Sequence, residues 1–215
     1  WDDNKADKNT ANKIEIPGYI QETNMLRTAL KIDAGSGNVN LNDDIGSQRT
    51  LWELDVNNTG SVRTGGSVQL SDDFYNNKQY YSNMNIHTTG TVTMVGFVDV
   101  TGNINIGYDR EGNKISTGAV EADSTLTAEN GDILIGSETN RSASALLKDQ
   151  ITAATGVVIY TAGNVESDKG ILAKGTDVSA LVTTGGLVQP KVLGNIIIND
   201  SGVDSKITLK GTTTV

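Results

Sequence analysis

Few side chains in this 215-residue chain are able to do chemistry, and their types narrow that chemistry at once. There is no cysteine, and there is a single histidine, His87. Thiolate zinc sites, disulfide frameworks, cysteine nucleophiles and multi-histidine metal sites are excluded, and a Ser-His-Asp triad would have to use His87. If Ile86 takes the buried side of a strand, alternation turns His87 to solvent, without the partners that nucleophilic catalysis needs. The carboxylates are next. Asp2 and Asp3, Asp43 and Asp44, and Asp72 and Asp73 are adjacent pairs, and two carboxylates about 5–10 Å apart can cleave a glycosidic bond. Adjacent residues on a strand face opposite ways, however, and these pairs sit in polar stretches, so capped, solvated turns are expected. Asp109, Glu111 and Asn113 offer alternating oxygens. They lack the glycine and terminal glutamate of an EF-hand loop, and no calcium-binding glycine-rich nonapeptide occurs. The sequons at Asn57, Asn140 and Asn199 are expected by chance in a chain with 21 Asn and 25 Thr. The aromatic candidates are Trp1, Trp52 and a cluster of Phe74, Tyr75, Tyr80 and Tyr81 in a polar connector after Ser71. That cluster reads as loop packing against the body of the fold, with a ligand contact as the alternative. The expectation is no catalytic, cofactor-binding or metal-ligating residue, no cofactor, and no enzyme.

The elements that would position these residues follow from composition. The net charge of −9 argues against a phosphate-binding surface and so against nucleic acid. No run of about 18 apolar residues exists to span a membrane as a helix. Twenty-four Gly against 2 Pro, 5% aromatics and the wealth of Thr and Asn describe short strands joined by tight corners. Residues 1–13 are polar and without apolar period, and read as a lead-in or linker. From residue 14 to 215 the character is uniform, which predicts one β-helical segment.

A Gly-led unit recurs through that segment, with apolar residues at its third and fifth positions. It appears as Gly37, Val39 and Leu41; as Gly66, Val68 and Leu70; and as Gly90, Val92 and Met94. It returns as Gly102, Ile104 and Ile106; as Gly131, Ile133 and Ile135; and as Gly194, Ile196 and Ile198. Period-two alternation makes each unit a strand with one buried face. The intervals between units are 29, 24, 12, 29 and 63 residues, and spacings in the twenties are those of solenoid coils. At about 25 residues per coil the chain holds roughly eight coils. The named apolar residues, with Ile207 and Leu209, are expected to form buried ladders, while Asn40, Gln69, Thr93, Asn105 and Ser205 are expected to be wet. Residues 142–150 are expected to form a short helical excursion, because Ser142 precedes apolar residues set too close for alternation. The chain ends at Val215 on an apparent uncapped strand, so it is expected to be a segment of something longer.

Laid out this way, the chain resembles the shaft of large bacterial exoproteins of the filamentous haemagglutinin type. The residues carrying the likeness are Ile32, Ala34, Gly35, Gly37, Val39 and Leu41, followed by Ile45, Gly46, Leu51, Leu54 and Val56. Further echoes are Gln79 and Tyr81 before Val92, Met94 and Gly96, and residues 151–164. The likeness covers about residues 30–215. It implies an all-β, right-handed parallel β-helix in a secreted or cell-surface bacterial fibre or adhesin. The implied partners are adjacent coils or subunits of the same fibre, and glycans or proteins of host or neighbouring cells. The family's secretion domain carries Asn-Pro motifs, and here Pro17 and Pro190 follow Ile16 and Gln189, so that domain is not this segment. The alternative is a β-helical polysaccharide-degrading enzyme or phage tailspike.

Overall fold

The computed structural model describes residues 13–16, 29–47, 51–71, 73–75, 78–174, 196–200 and 206–214. Three parallel sheets stack along the described chain, and no described residue is helical. Sheet I has seven strands, sheet II eight and sheet III five. A separate antiparallel hairpin pairs Asp73–Tyr75 with Lys78–Tyr80. The chain visits the sheets in a fixed order. One turn runs through Asn83–His87 in sheet I, Val92–Met94 in sheet II and Val98–Val100 in sheet III. The next strand, Ile104–Ile106, returns to sheet I and pairs in parallel with Asn83–His87. This is a parallel β-solenoid, the fold class that the repeats predict.

The repeated units do not follow the turns one for one. The units at Gly37 and Gly90 lead into strands of sheet II, that at Gly66 into sheet III, and those at Gly102 and Gly131 into sheet I. Most intervals between units therefore compare different sheets. Stacked neighbours are separated by varied intervals, among them 20 residues (Asn83 and Asn103), 29 (Asn103 and Asp132) and 30 (Asn57 and His87). Every sheet needs the same bend and the same alternation, so the unit carries no label for its sheet.

The core is a set of aliphatic ladders. Val39, Leu41, Val68, Leu70, Val92, Met94, Ile104, Ile106, Ile133 and Ile135 are all buried, as expected. Each lies over its counterpart one turn away: Val92 pairs with Val62 and Val120, and Ile104 with Met84 and Ile133. Burying such a side chain is worth about 1.5–3 kcal/mol, and only the neighbouring turns supply the cover. Ile196 and Ile198 are partly buried against this core. Ile207 and Leu209 depart from expectation. They align with Val165 and Ser167, yet both are 41% exposed. Their strand pairs only with Val165–Ser167 among the described residues, so one side of the rung lacks cover. Asn40, Gln69 and Thr93 are half-exposed. Asn105 is fully buried instead, because a connecting segment lies across it, as described below. Ser205 lies outside the described residues.

The helical expectation at 142–150 is overturned. Ser144–Leu147 is a strand of sheet II whose Ala145 and Leu147 point inward beside Val120 and Ala122. Leu146 takes the outer side, between Glu121 and Glu166. Parallel neighbours on both edges decide the conformation of so short a segment, whatever its local preference.

Polar groups fix the corners. A side-chain oxygen just before a strand accepts the backbone N–H one turn on: Asn38 from Ser61, Asp44 from Ser67, Asn83 from Asn103 and Asn103 from Asp132, all at 2.8–2.9 Å. Asn58, Thr88, Thr117, Ser142 and Thr161 form a second buried polar column at the corner between sheets I and II. From it Asn58 donates to the carbonyls of Gly37 and Gly60, and Thr88 to that of Gly60. Glycine is required beside that column, since a Cβ on Gly90 would collide with the Gly60 backbone.

Two substitutions test this packing. Ile133→Asp puts an unpaired charge inside the stack and should cost several kcal/mol, on the order of 3 or more, in urea unfolding. Thr64 points inward with its hydroxyl unpartnered among the described residues, so Thr64→Val should stabilise by about 1 kcal/mol. A destabilised Thr64→Val protein would contradict the inward register.

Candidate functional site

The outer face of sheet I is built by the same alternation that builds the core. With Leu54 and Val56 inward, Glu53 and Asp55 point out; with Met84 and Ile86 inward, so does Asn85. The register aligns Lys31, Asp55, Asn85, Asn105, Leu134, Val158 and Ile197 in one outer row. Such a row is expected to be wet. Instead Asn85, Asn105, Leu134 and Val158 are buried, and so is Glu53, two residues before Asp55 on the same outer face.

The connection from sheet I to sheet II at residues 107–118 supplies the cover. Gly107, at φ 90°, turns the chain out of the sheet, and Ile115 N–H donates back to its carbonyl at 2.9 Å. Tyr108 pairs antiparallel with Lys114, and Gly112 at φ 86° closes the bend. The Asp109 carboxylate accepts from the backbone and the side-chain amide of Asn113, both at 2.7 Å. The tip presents Arg110, whose Nε lies 3.5 Å from Glu53 Oε1. Glu53 is two rungs from the strand that feeds the connection, so the strap crosses about 10 Å of sheet. At its base Tyr108 packs with Leu134, Val158 and Tyr160, and its hydroxyl donates to the Gly136 carbonyl at 3.0 Å. Burial pushes that phenol up to about 12.

Glu53 is 1% exposed. Among the described residues its Oε1 receives long contacts, from Asn85 Nδ2 at 3.4 Å and from Arg110. Its Oε2 is buried with no partner among the described residues. Burial is the largest influence on this carboxyl, Arg110 opposes it, Asp55 adds to it, and the net result is a pKa pushed up to about 7. An ion pair at 3.5 Å without a well-formed hydrogen bond does not offset the loss of water. Asp55 is also raised, by burial first, and its Oδ1 is likewise buried and unpartnered. Asn105 extends the polar row by donating to Asn85 Oδ1 at 2.9 Å. Farther along, burial raises Asp132, whose carboxylate accepts from Thr155. The arrangement favours the protonated form of one carboxyl, two residues along a strand from a second, beneath the strap.

The residues singled out from sequence fall elsewhere. His87 faces outward on sheet I with its ring 3.1 Å from Asn57 Oδ1. Asp44 caps Ser67, and Asp43 accepts from Asp44 N–H at 3.2 Å, the turn chemistry expected of that pair. Asp109, Glu111 and Asn113 belong to the strap. Among the described residues no three His, Cys, Asp or Glu side chains are grouped to hold a metal ion. Trp52 is buried at 8% exposure. Phe74, Tyr75 and Tyr80 lie on the antiparallel hairpin, and Tyr81 follows it half-buried. Trp1, Asp2, Asp3 and Asp72 lie outside the described residues. Sequence reasoning passed over Glu53, Asp55, Asn85 and Arg110. The alternation of Glu53, Leu54, Asp55 and Val56 placed two carboxyls on one outer face; nothing local foretold the strap that buries them.

No family model, curated protein or solved structure matches this chain.

The raised carboxyl has a pH signature. Its folded pKa of about 7 lies above the 4.5 of an ordinary glutamate, so the folded state prefers the proton. The resulting stability is fully present below about pH 4.5 and is lost as pH rises through about 7, by about 3 kcal/mol. In denaturant unfolding between pH 4 and 8.5, the parent protein should lose stability relative to Glu53→Gln across this window. Parallel curves for the two proteins would contradict the assignment.

Proposed function

We propose that this chain is a structural segment of a secreted or cell-surface bacterial fibre or adhesin, acting through its stacked β-solenoid and through attachment to other surfaces. The observation carrying this reading is the uninterrupted parallel stack. Its interior is mainly aliphatic ladder, and side-chain oxygens at its corners bond from one turn to the next. Such a body presents long, regular outer rows, which suits contact along a surface. The Gly-led motifs supply the likeness to haemagglutinin-type shafts. On this reading the partners are neighbouring coils or subunits of the fibre and cell-surface glycans or proteins, and the place of action is outside the cell. The test is to couple the folded chain to inert beads and measure their retention on bacterial and host cells. Retention should exceed that of beads carrying the heat-unfolded chain; equal retention on every surface would overturn the reading.

A second reading, a polysaccharide-degrading β-helical enzyme or tailspike, has one observation in its favour. Glu53 and Asp55 both have raised pKa values on one sheet face, and two residues of strand separate them by about 7 Å, a spacing within reach of glycosidic chemistry. Incubation with acidic and neutral polysaccharides, with and without calcium, should release no oligosaccharides if the fibre reading holds. Release that is abolished by Glu53→Gln would establish the enzyme reading.

A further inference from the structure

We propose that the strap formed by residues 107–118 is a proton-controlled lid over the outer face of sheet I, shut while Glu53 carries a proton and loosened as Glu53 ionises, uncovering Asn85 and Asn105. The strap has two unequal attachments. Its base is apolar and well bonded, through Tyr108 against Leu134 and Val158 and through the Tyr108 hydroxyl on Gly136. At its tip, the polar contact to sheet I among the described residues is Arg110 Nε to Glu53 Oε1 at 3.5 Å. A charged carboxylate shut beneath it would have one oxygen without any partner among the described residues and the other served only by long contacts. A neutral carboxyl tolerates that setting far better.

The charges facing Glu53 come from each element around it. Lys31 lies on the preceding strand of sheet I, Asp55 on its own strand, and Arg110 and Glu111 on the strap tip. Asp109, also on the strap, faces Asp55. On the following strand Glu53 pairs in register with the neutral Asn83. The two bases do not outweigh burial and the acids, and Glu53 stays raised. Linkage then fixes the direction. Opening the strap returns water to Glu53 and lets it ionise at lower pH, so the proton favours the closed form and its loss favours the open one. The proton, and not the Arg110 ion pair, is the clasp.

The test is amide hydrogen exchange on the intact chain, expressed as protection factors from pH 5 to 8.5. Amides of residues 108–115, 85 and 105 should lose protection at least tenfold as pH rises, while the core strand Ile133–Ile135 keeps its own. In Glu53→Gln the strap should stay protected at every pH. His87→Asn, which removes the histidine one row away, should leave the parent response intact. Asp55→Asn separates the two carboxyls, and its strap should still respond. Protection of the strap that is flat with pH, that rises with pH, or that is flattened by Asp55→Asn but not by Glu53→Gln would overturn the proposal.

Discussion

Registered stacking of one turn on the next is the constraint from which the rest of this structure follows. A single turn offers three short strands and a handful of inward side chains, too few to bury one another. Hydrogen bonds between turns hold successive strands roughly 4.8 Å apart, so each inward residue is covered by its counterpart above and below. The aliphatic ladders through Val92 and Ile104 are one consequence. The side-chain ladder through Asn83, Asn103 and Asp132 is another, because an oxygen placed before one strand always finds the N–H of the next turn. Ile207 and Leu209 keep the same register, yet both are exposed where no further rung lies over them among the described residues.

Stacking also explains where variation is tolerated. Extra residues can leave the stack only at corners, and there they do, in the hairpin of Asp73–Tyr75 and Lys78–Tyr80 and in the strap at 107–118. The strap is the consequential one. By folding back across sheet I it converts an outer row meant for water into an interior. Glu53 and Asp55 respond as carboxyls do when water is withdrawn, and Asn85 and Asn105 turn to each other for hydrogen bonds. The chemical individuality of the molecule is concentrated in that covered patch.

Much of the fold was legible in the residues. The alternation of apolar side chains after each leading glycine named the inward positions of sheets I, II and III, because a buried strand face imposes period two wherever it occurs. The order of sheets was not legible, since one sequence unit serves all three. Residues 142–150 misled because adjacent Leu146 and Leu147 break alternation; both are tolerated since Leu147 faces the core and Leu146 packs on the outside. The candidate site was the least legible part. Glu53 and Asp55 read as ordinary outward acids, and the surroundings of Glu53 include Arg110, 57 positions away in the chain. Asn105 was misplaced for the same reason.

The central claim is that successive turns stack in parallel in this register, and the absence of cysteine allows it to be tested directly. Thr127 and Thr152 are outward neighbours on adjacent rungs of sheet III, whereas Ile151 and Ala153 point inward. The measurement is the yield of intramolecular cross-link by a short bis-maleimide in folded double-cysteine variants, read as mobility on a denaturing gel. The pair Thr127→Cys with Thr152→Cys should link rapidly and nearly completely, and Thr127→Cys with Ala153→Cys should link poorly. Equal yields, or linking only in the second pair, would contradict the stacked register on which the whole account stands.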